Sequence, residues 1–286
     1  MDPVKRLRER LTRPGMIQAP GCYDAFSALL IQQAGFEAAY MTGFGASASL
    51  LGQPDVGLIS FAEMADHAAR IANLLEIPLI ADADTGYGSG VNTYRTVRGY
   101  ARAGVAAIQL EDQVSPKRCG HTPGKAVVPV AEMVGKLKAA ADARSARDIV
   151  VIARTDARAV TGMADALERC QAYREAGADV IFFEAPQTEA EMALVCREVR
   201  APLLINQVEG GQTPFLAKSR LEALGFRLAI YPVTLLLTAA RGMTEQLAEL
   251  RKADTFEPFD RQITFENLRA TLGFPEFYAR EARYKA

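Results

Sequence analysis

The segment Lys117-Arg118-Cys119-Gly120-His121 sets a thiol among cations, with a glycine directly after it. Nearby positive charge favours the thiolate, so a partly exposed thiol of this kind can exchange protons near neutral pH. His121 is a second candidate for the same proton work, or an ordinary loop histidine. Upstream, Ala81-Asp82-Ala83-Asp84-Thr85-Gly86-Tyr87-Gly88 places two carboxylates at the end of an apolar run. A second apolar run ends in Glu111-Asp112. Four carboxylates brought to one place repel one another and are costly to desolvate. A hard divalent cation, Mg²⁺ or Mn²⁺, resolves that conflict and keeps several waters of its own. The plainer alternative is that Asp84 only starts the turn that follows it.

Further polar residues close further apolar runs: Thr42, Arg154 with Asp156, Glu184 and Asn206. Arginine grips a carboxylate in a fork, and asparagine offers both a donor and an acceptor. Arg154 and Asp156 could equally form a simple ion pair. In Tyr40-Met41-Thr42-Gly43-Phe44-Gly45 the glycines leave backbone N–H groups available to an anion. The Tyr40 phenol could serve in proton transfer or simply pack.

These side chains share a frame only if the apolar runs lie side by side. Strands are expected at Met16–Pro20, Ala38–Thr42, Pro78–Asp82, Ala106–Glu111, Ile149–Arg154, Val180–Glu184, Pro202–Asn206 and Leu228–Tyr231. Between them lie helical stretches, one capped by Asp24 and another running from Asp165 to Tyr173 with Gly177 beyond it. The phrase alanine-glycine-apolar recurs before strands, at Gly35, Gly104 and Gly177. Strands that are apolar throughout suit a parallel sheet buried on both faces. Eight such units in one chain predict a (β/α)₈ TIM barrel, whose catalytic face is the C-terminal end of its strands. A doubly wound open sheet is the rival, without an early Gly-x-Gly-x-x-Gly to support it. One domain is expected over residues 1–286, with 255–286 as a C-terminal helical extension. The stretch from Asp112 to Val130 reads as a long loop of the active-site lid kind, mobile over residues 114–128.

The chain has 286 residues, and its 33 basic and 34 acidic residues leave a formal charge of −1. No block of like charge points to a nucleic-acid or membrane surface. The N-terminal residues lack the apolar core of a signal peptide, and no stretch spans a bilayer. Cys22, Cys170 and Cys196 read as small core residues and, with Cys119, as reduced cytoplasmic thiols.

Taken together, Tyr40-Met41-Thr42-Gly43, Gly52-Gln53-Pro54-Asp55, the Asp82–Gly88 segment, Glu111-Asp112-Gln113, the Lys117–His121 segment, Ala153-Arg154-Thr155-Asp156, Phe183-Glu184-Ala185 and Val208-Glu209-Gly210-Gly211 resemble the isocitrate lyase/phosphoenolpyruvate mutase superfamily. The resemblance is to its lyase branch, which holds 2,3-dimethylmalate lyase, petal death protein and methylisocitrate lyase. It implies an Mg²⁺ ion, or Mn²⁺, by Asp82, with Asp84, Glu111 and Asp55 close by. It implies that Thr42, Gly43, Phe44 and Arg154 hold a substrate carboxylate and that Tyr40 takes a hydroxyl proton. It implies that Cys119 protonates the departing enolate, with Lys117, Gly120, His121, Glu184 and Asn206 around it. It also implies a homotetramer with exchanged C-terminal helices. The expected reaction cleaves a 2-hydroxy dicarboxylate of the 2-methylmalate or 2,3-dimethylmalate type to pyruvate and a short carboxylate. Leu237 carries that choice: it stands where the tricarboxylate lyases place an arginine. Cleavage of methylisocitrate is the alternative, followed by oxaloacetate hydrolysis and, behind both, carboxyphosphonoenolpyruvate mutase chemistry.

Overall fold

Backbone pairing closes on itself. In a computed structural model that describes residues 2–120, 122, 124–144, 148–252 and 262–285, eight parallel strands form a closed barrel in chain order. They are β1 (Ile17–Cys22), β2 (Ala39–Met41), β3 (Leu79–Asp82), β4 (Ala107–Glu111), β5 (Val150–Thr155), β6 (Val180–Phe183), β7 (Leu203–Asn206) and β8 (Leu228–Tyr231). β1 pairs with β8 as well as β2, which rules out the open-sheet alternative.

Side chains alternate across each strand, so residues two apart share a face. One face of the strands turns inward, where Ile80, Ile152, Val180, Phe182, Leu204, Leu228 and Ile230 pack together. The other set, including Ile108, Val151, Ile181 and Ile205, packs outward against the surrounding helices. Helix α1 (Pro3–Thr12), not anticipated from the sequence, adds Val4, Leu7 and Leu11 to the inner cluster at its N-terminal end. Each such buried side chain contributes about 1.5–3 kcal/mol.

Helix α2 (Ala25–Gln33) starts at Asp24, whose carboxylate accepts from Ser27 N–H at 2.7 Å. Helix α3 (Gly90–Ala103) ends at Gly104 with φ +92°. Gly35 and Gly177 adopt the same left-handed backbone before β2 and β6. An alanine there would be strained, which explains the recurring glycine. Cys22 and Cys170 are buried, and Cys196 is half-buried against the outer core.

The chain divides into two compact units, Met1–Thr238 and Ala239–Ala286. The boundary falls inside the helix Thr234–Lys252, and the second unit also holds the helices Phe265–Thr271 and Phe274–Tyr284.

Candidate active site

The inward series of five strands ends in polar side chains: Ile80 gives way to Asp82, Gln109 to Glu111, Ile152 to Arg154, Phe182 to Glu184 and Leu204 to Asn206. All five are buried at the C-terminal mouth of the barrel. A cavity of about 200 Å³ opens there. Thr42, Asp82, Glu111, Arg154, Glu184 and Asn206 form its polar wall, and Lys117, Arg118, Cys119 and Gly120 close over it. Val208, Ile230, Pro232, Val233 and Leu237 form the apolar wall.

Asp112 is not in this cavity. Expected among the mouth acids, it falls instead on the face opposite Glu111, because strand side chains alternate with a period of two. There it accepts from Thr155 Oγ1 at 2.7 Å, Tyr173 at 2.8 Å, Arg169 at 3.2 Å and the Asp156 N–H at 2.9 Å. It anchors the β5 end from outside. Asp55, on the loop after the π-helical turn Ser47–Leu51, supplies the fourth acid of the mouth.

Asp82 is tied down by backbone and side chain alike. It accepts from Asp84 N–H at 3.0 Å, Gly43 N–H at 3.2 Å and Gln109 at 3.4 Å. A methyl group on Gly43 would lie 2.7 Å from Asp82 Oδ2, so only glycine permits this approach. The glycine N–H groups, expected to be available to an anion, are instead already engaged: Gly43 donates to Asp82, and Gly45 donates to Thr42 Oγ1 at 3.4 Å. Thr42 thereby caps the short helix Gly43–Ala46.

Lys117 bridges Asp55 at 2.6 Å and Asp84 at 2.9 Å. Burial opposes its charge, but Asp84, Asp82, Glu111 and Asp55 hold the ammonium well above its ordinary value. Burial pushes Asp84 up to about 6, with Lys117 opposing and Asp82 and Asp55 adding. Burial also raises Glu111 well above the usual carboxylate range, against the pull of Arg154 and Lys117.

Several of these oxygens lack a hydrogen-bond donor. Asp55 Oδ1 and Glu111 Oε1 find none among the described residues, and Asp84 Oδ1 meets Lys117 at ion-pair distance without hydrogen-bond alignment. Such acceptor-only oxygens, in a buried acidic set, match the donors of a hard cation. No three His, Cys, Asp or Glu side chains among the described residues converge closely enough to enclose an ion by themselves. A strongly hydrated ion needs only one or two direct carboxylates, so the residues fit Mg²⁺ held largely through water.

Arg154 is gripped by Asp156 in a two-pronged contact at 2.9 and 3.0 Å, the ion pair left open by the sequence. It also reaches Glu111 at 3.3 Å and Glu184 at 3.7 Å, over the ring of Phe182. Burial opposes its charge, and Asp156, Glu184 and Glu111 more than restore it. Asn206 donates to both Glu184 oxygens, at 3.3 and 3.4 Å.

The Tyr40 phenol donates to Gln109 Oε1 at 2.7 Å. Burial, then the charge of Asp82, raises it well above its ordinary value. In this arrangement Tyr40 is a hydrogen-bond donor rather than a ready base. Gln109, its partner, was missed by sequence reasoning; its parity with Glu111 was the available signal.

Residues 117–120 of the loop after β4 cover these groups. Gln113 and Arg118 exchange hydrogen bonds at 2.8 and 3.0 Å, and Gln113 bridges Val127 across the loop. Gly120 presses on the mouth: a β-carbon there would meet Arg154 Nη2 and Glu184 Oε1 at 2.3 Å each. The half-buried Cys119 lines the cavity beside it. His121 lies outside the described residues.

The family profile described as phosphoenolpyruvate phosphomutase matches residues 7–251. The chain is 47% identical to 2,3-dimethylmalate lyase of Eubacterium barkeri over 99% of both chains. It is 41% identical to 2-methylisocitrate lyase of Aeropyrum pernix, over 98% of this chain and 92% of the relative. A crystal structure of a 2,3-dimethylmalate lyase superposes with a TM-score of 0.95 at 39% identity, covering 100% of this chain and 96% of that one.

Proposed function

The chain belongs to the phosphoenolpyruvate mutase/isocitrate lyase superfamily, and from that premise we propose that it is a carbon–carbon lyase acting on a 2-hydroxy dicarboxylate of the 2-methylmalate or 2,3-dimethylmalate type. The products are pyruvate and a short carboxylate. The observation that carries the substrate class is the two-sided cavity: acids, Arg154 and Asn206 on one wall, Leu237 with Val208 and Val233 on the other. A third carboxylate would face the apolar side chains of Val208, Val233 and Leu237, with the carboxylate of Glu209 lining the same cavity, which is costly. A methyl group there is welcome.

Asp82, Asp84, Glu111 and Asp55 are the residues that would hold Mg²⁺. When bound, the ion supplies positive charge toward the oxygens on which charge develops. Arg154 and the Thr42–Phe44 lip orient the hydroxy-acid carboxylate, with Gly43 exchanging its bond to Asp82 for one to substrate. As the carbon–carbon bond breaks, its electron pair passes to the departing fragment and the hydroxyl proton to the acid ring, where burial leaves Glu111 ready to take one. Tyr40 meanwhile donates toward the forming carbonyl through the phenol now turned to Gln109. Cys119 delivers a proton to the enolate carbon of the departing fragment, and Gly120, Glu184 and Asn206 hold that fragment in place. The closed lid keeps water from competing for the same carbon. Lys117 brings the lid onto the acid ring as it closes, and His121 shares the proton work of the same loop.

We further place the enzyme in the cytoplasm as a homotetramer of single barrels, each with residues 255–286 as its helical extension. An apolar groove of about 430 Å³ on the outer face of the first unit, lined by Leu30, Ile31, Phe215 and Leu235, supports cover by a second copy. So do the exposed Phe265, Phe277 and Tyr284.

Pyruvate release tests the reading, on a panel of 2-methylmalate, 2,3-dimethylmalate, methylisocitrate and oxaloacetate, with Mg²⁺ and after exhaustive chelation. Cleavage of the first two with Mg²⁺ is the expected result. Preference for methylisocitrate would transfer the assignment to the tricarboxylate lyases, and oxalate formed from oxaloacetate would point to hydrolysis.

A further inference from the structure

Lys125 lies six residues after the thiol, past the part of the loop that the chemistry uses. Its side chain is only 3% exposed. The ammonium reaches two acceptors on different parts of the fold: the backbone carbonyl of Gly120 and Asp156 Oδ1, the latter at 2.7 Å. Asp156 is itself rigidly held. It takes both prongs of Arg154, and its N–H donates to Asp112, which Thr155, Arg169 and Tyr173 fix in turn. One cation thus ties the peptide next to Cys119 to a platform built on β5.

We propose that Lys125 is a positioning residue for Cys119, seating the Cys119–Gly120 peptide against Arg154 and Glu184 so that the thiol faces the reacting carbon. The Gly120 α-carbon sits so close to Arg154 and Glu184 that a β-carbon has no room there. An approach this tight needs a restraint that pulls the loop inward, and the Gly120 carbonyl is where Lys125 pulls. Lys117 restrains the same loop from the other side, on Asp55 and Asp84. The thiol is therefore held between two buried lysine contacts, and only that of Lys117 falls on the acids that fit a metal.

This role rests on the lyase reading for its catalytic consequence but not for its structural one, and the test separates them. Lys125→Met keeps the length and apolar stem and removes the ammonium. In the Mg²⁺-loaded enzyme, iodoacetamide should then alkylate Cys119 several-fold faster than in wild type, with the modified peptide identified by mass. kcat for pyruvate release should fall about a hundredfold, the scale of a 1 Å misplacement, with KM changed far less. Lys125→Gln retains a donor for the Gly120 carbonyl without the charge and should fall between the two. It also carries the test if Lys125→Met does not fold. Unchanged alkylation in the folded variants overturns the proposal, whatever happens to turnover. If wild type releases no pyruvate from any substrate, the lyase reading fails while the alkylation comparison still decides the role of Lys125.

Discussion

Gly120→Ala is the smallest change that asks whether the lid must seat against the barrel mouth. The backbone at Gly120 is not among the left-handed glycines, so alanine costs nothing in conformation. What it adds is one methyl group, 2.3 Å from Arg154 Nη2 and 2.3 Å from Glu184 Oε1. Neither neighbour can step aside cheaply. Arg154 is pinned in two places by Asp156, and Glu184 is 1% exposed and bonded by Asn206. Carbon contacts relax only beyond about 3.5 Å, so the loop must lift by about 1 Å. Cys119 lifts with it. A misplacement of that size costs about a hundredfold in rate, equivalent to about 2.7 kcal/mol in the barrier. Folding should hardly notice, because the barrel core is untouched. The assay is pyruvate release from 2,3-dimethylmalate with Mg²⁺, beside a thermal melt of each protein. A variant within about threefold of wild type would refute the tight-seating argument, since the required 1 Å shift could not then matter.

Cys119→Ser should keep the fold and reduce turnover by about 10²–10⁴-fold, because a hydroxyl is a far weaker acid than a thiol. Retention of most of the wild-type rate in the pyruvate assay would remove Cys119 as the proton donor. Leu237→Arg should raise the ratio of methylisocitrate to 2,3-dimethylmalate cleavage by about ten- to a hundredfold, the worth of an arginine–carboxylate contact. Glu209 lines the same cavity and will draw on part of that charge, and Gly210→Phe is a poor companion change because Gly210 has φ +71°. A ratio unmoved in competition assays would show that Leu237 does not set the substrate. Asp84, raised to about 6 by burial, binds its proton more tightly folded than unfolded. Its contribution to stability is therefore fully present below pH about 3.8 and lost as pH rises through about 6, on the order of 3 kcal/mol in all. In metal-free protein, denaturant titrations of wild type minus Asp84→Asn should show that fall between those limits, and a flat difference would contradict it.

The barrel is legible in the amino-acid sequence. Eight apolar runs with polar ends, separated by helical stretches and punctuated by Gly35, Gly104 and Gly177, admit few other packings, because parallel strands buried on both faces must be apolar throughout. The observed strands fall within two residues of the expected ones at either end. The period of two also marks the inward set, and applied strictly it would have separated Glu111 from Asp112 and picked out Gln109. Residue types at the strand ends marked Asp82, Asp84, Glu111, Arg154, Glu184 and Asn206, the cation-flanked thiol marked Cys119, and the family resemblance singled out Asp55 and Leu237. Which side chains meet follows from the folded chain alone. Asp55 and Lys117 are 62 positions apart and touch, and so do Lys125 and Asp156, 31 apart. No local pattern encodes such pairs, because loop closure brings them together only after the barrel sets the distance between strand ends. The same holds for the close approach at Gly120, for the glycine N–H groups taken by Asp82 and Thr42, and for Tyr40, whose role follows from the partner it meets inside the barrel rather than from its neighbours in the chain.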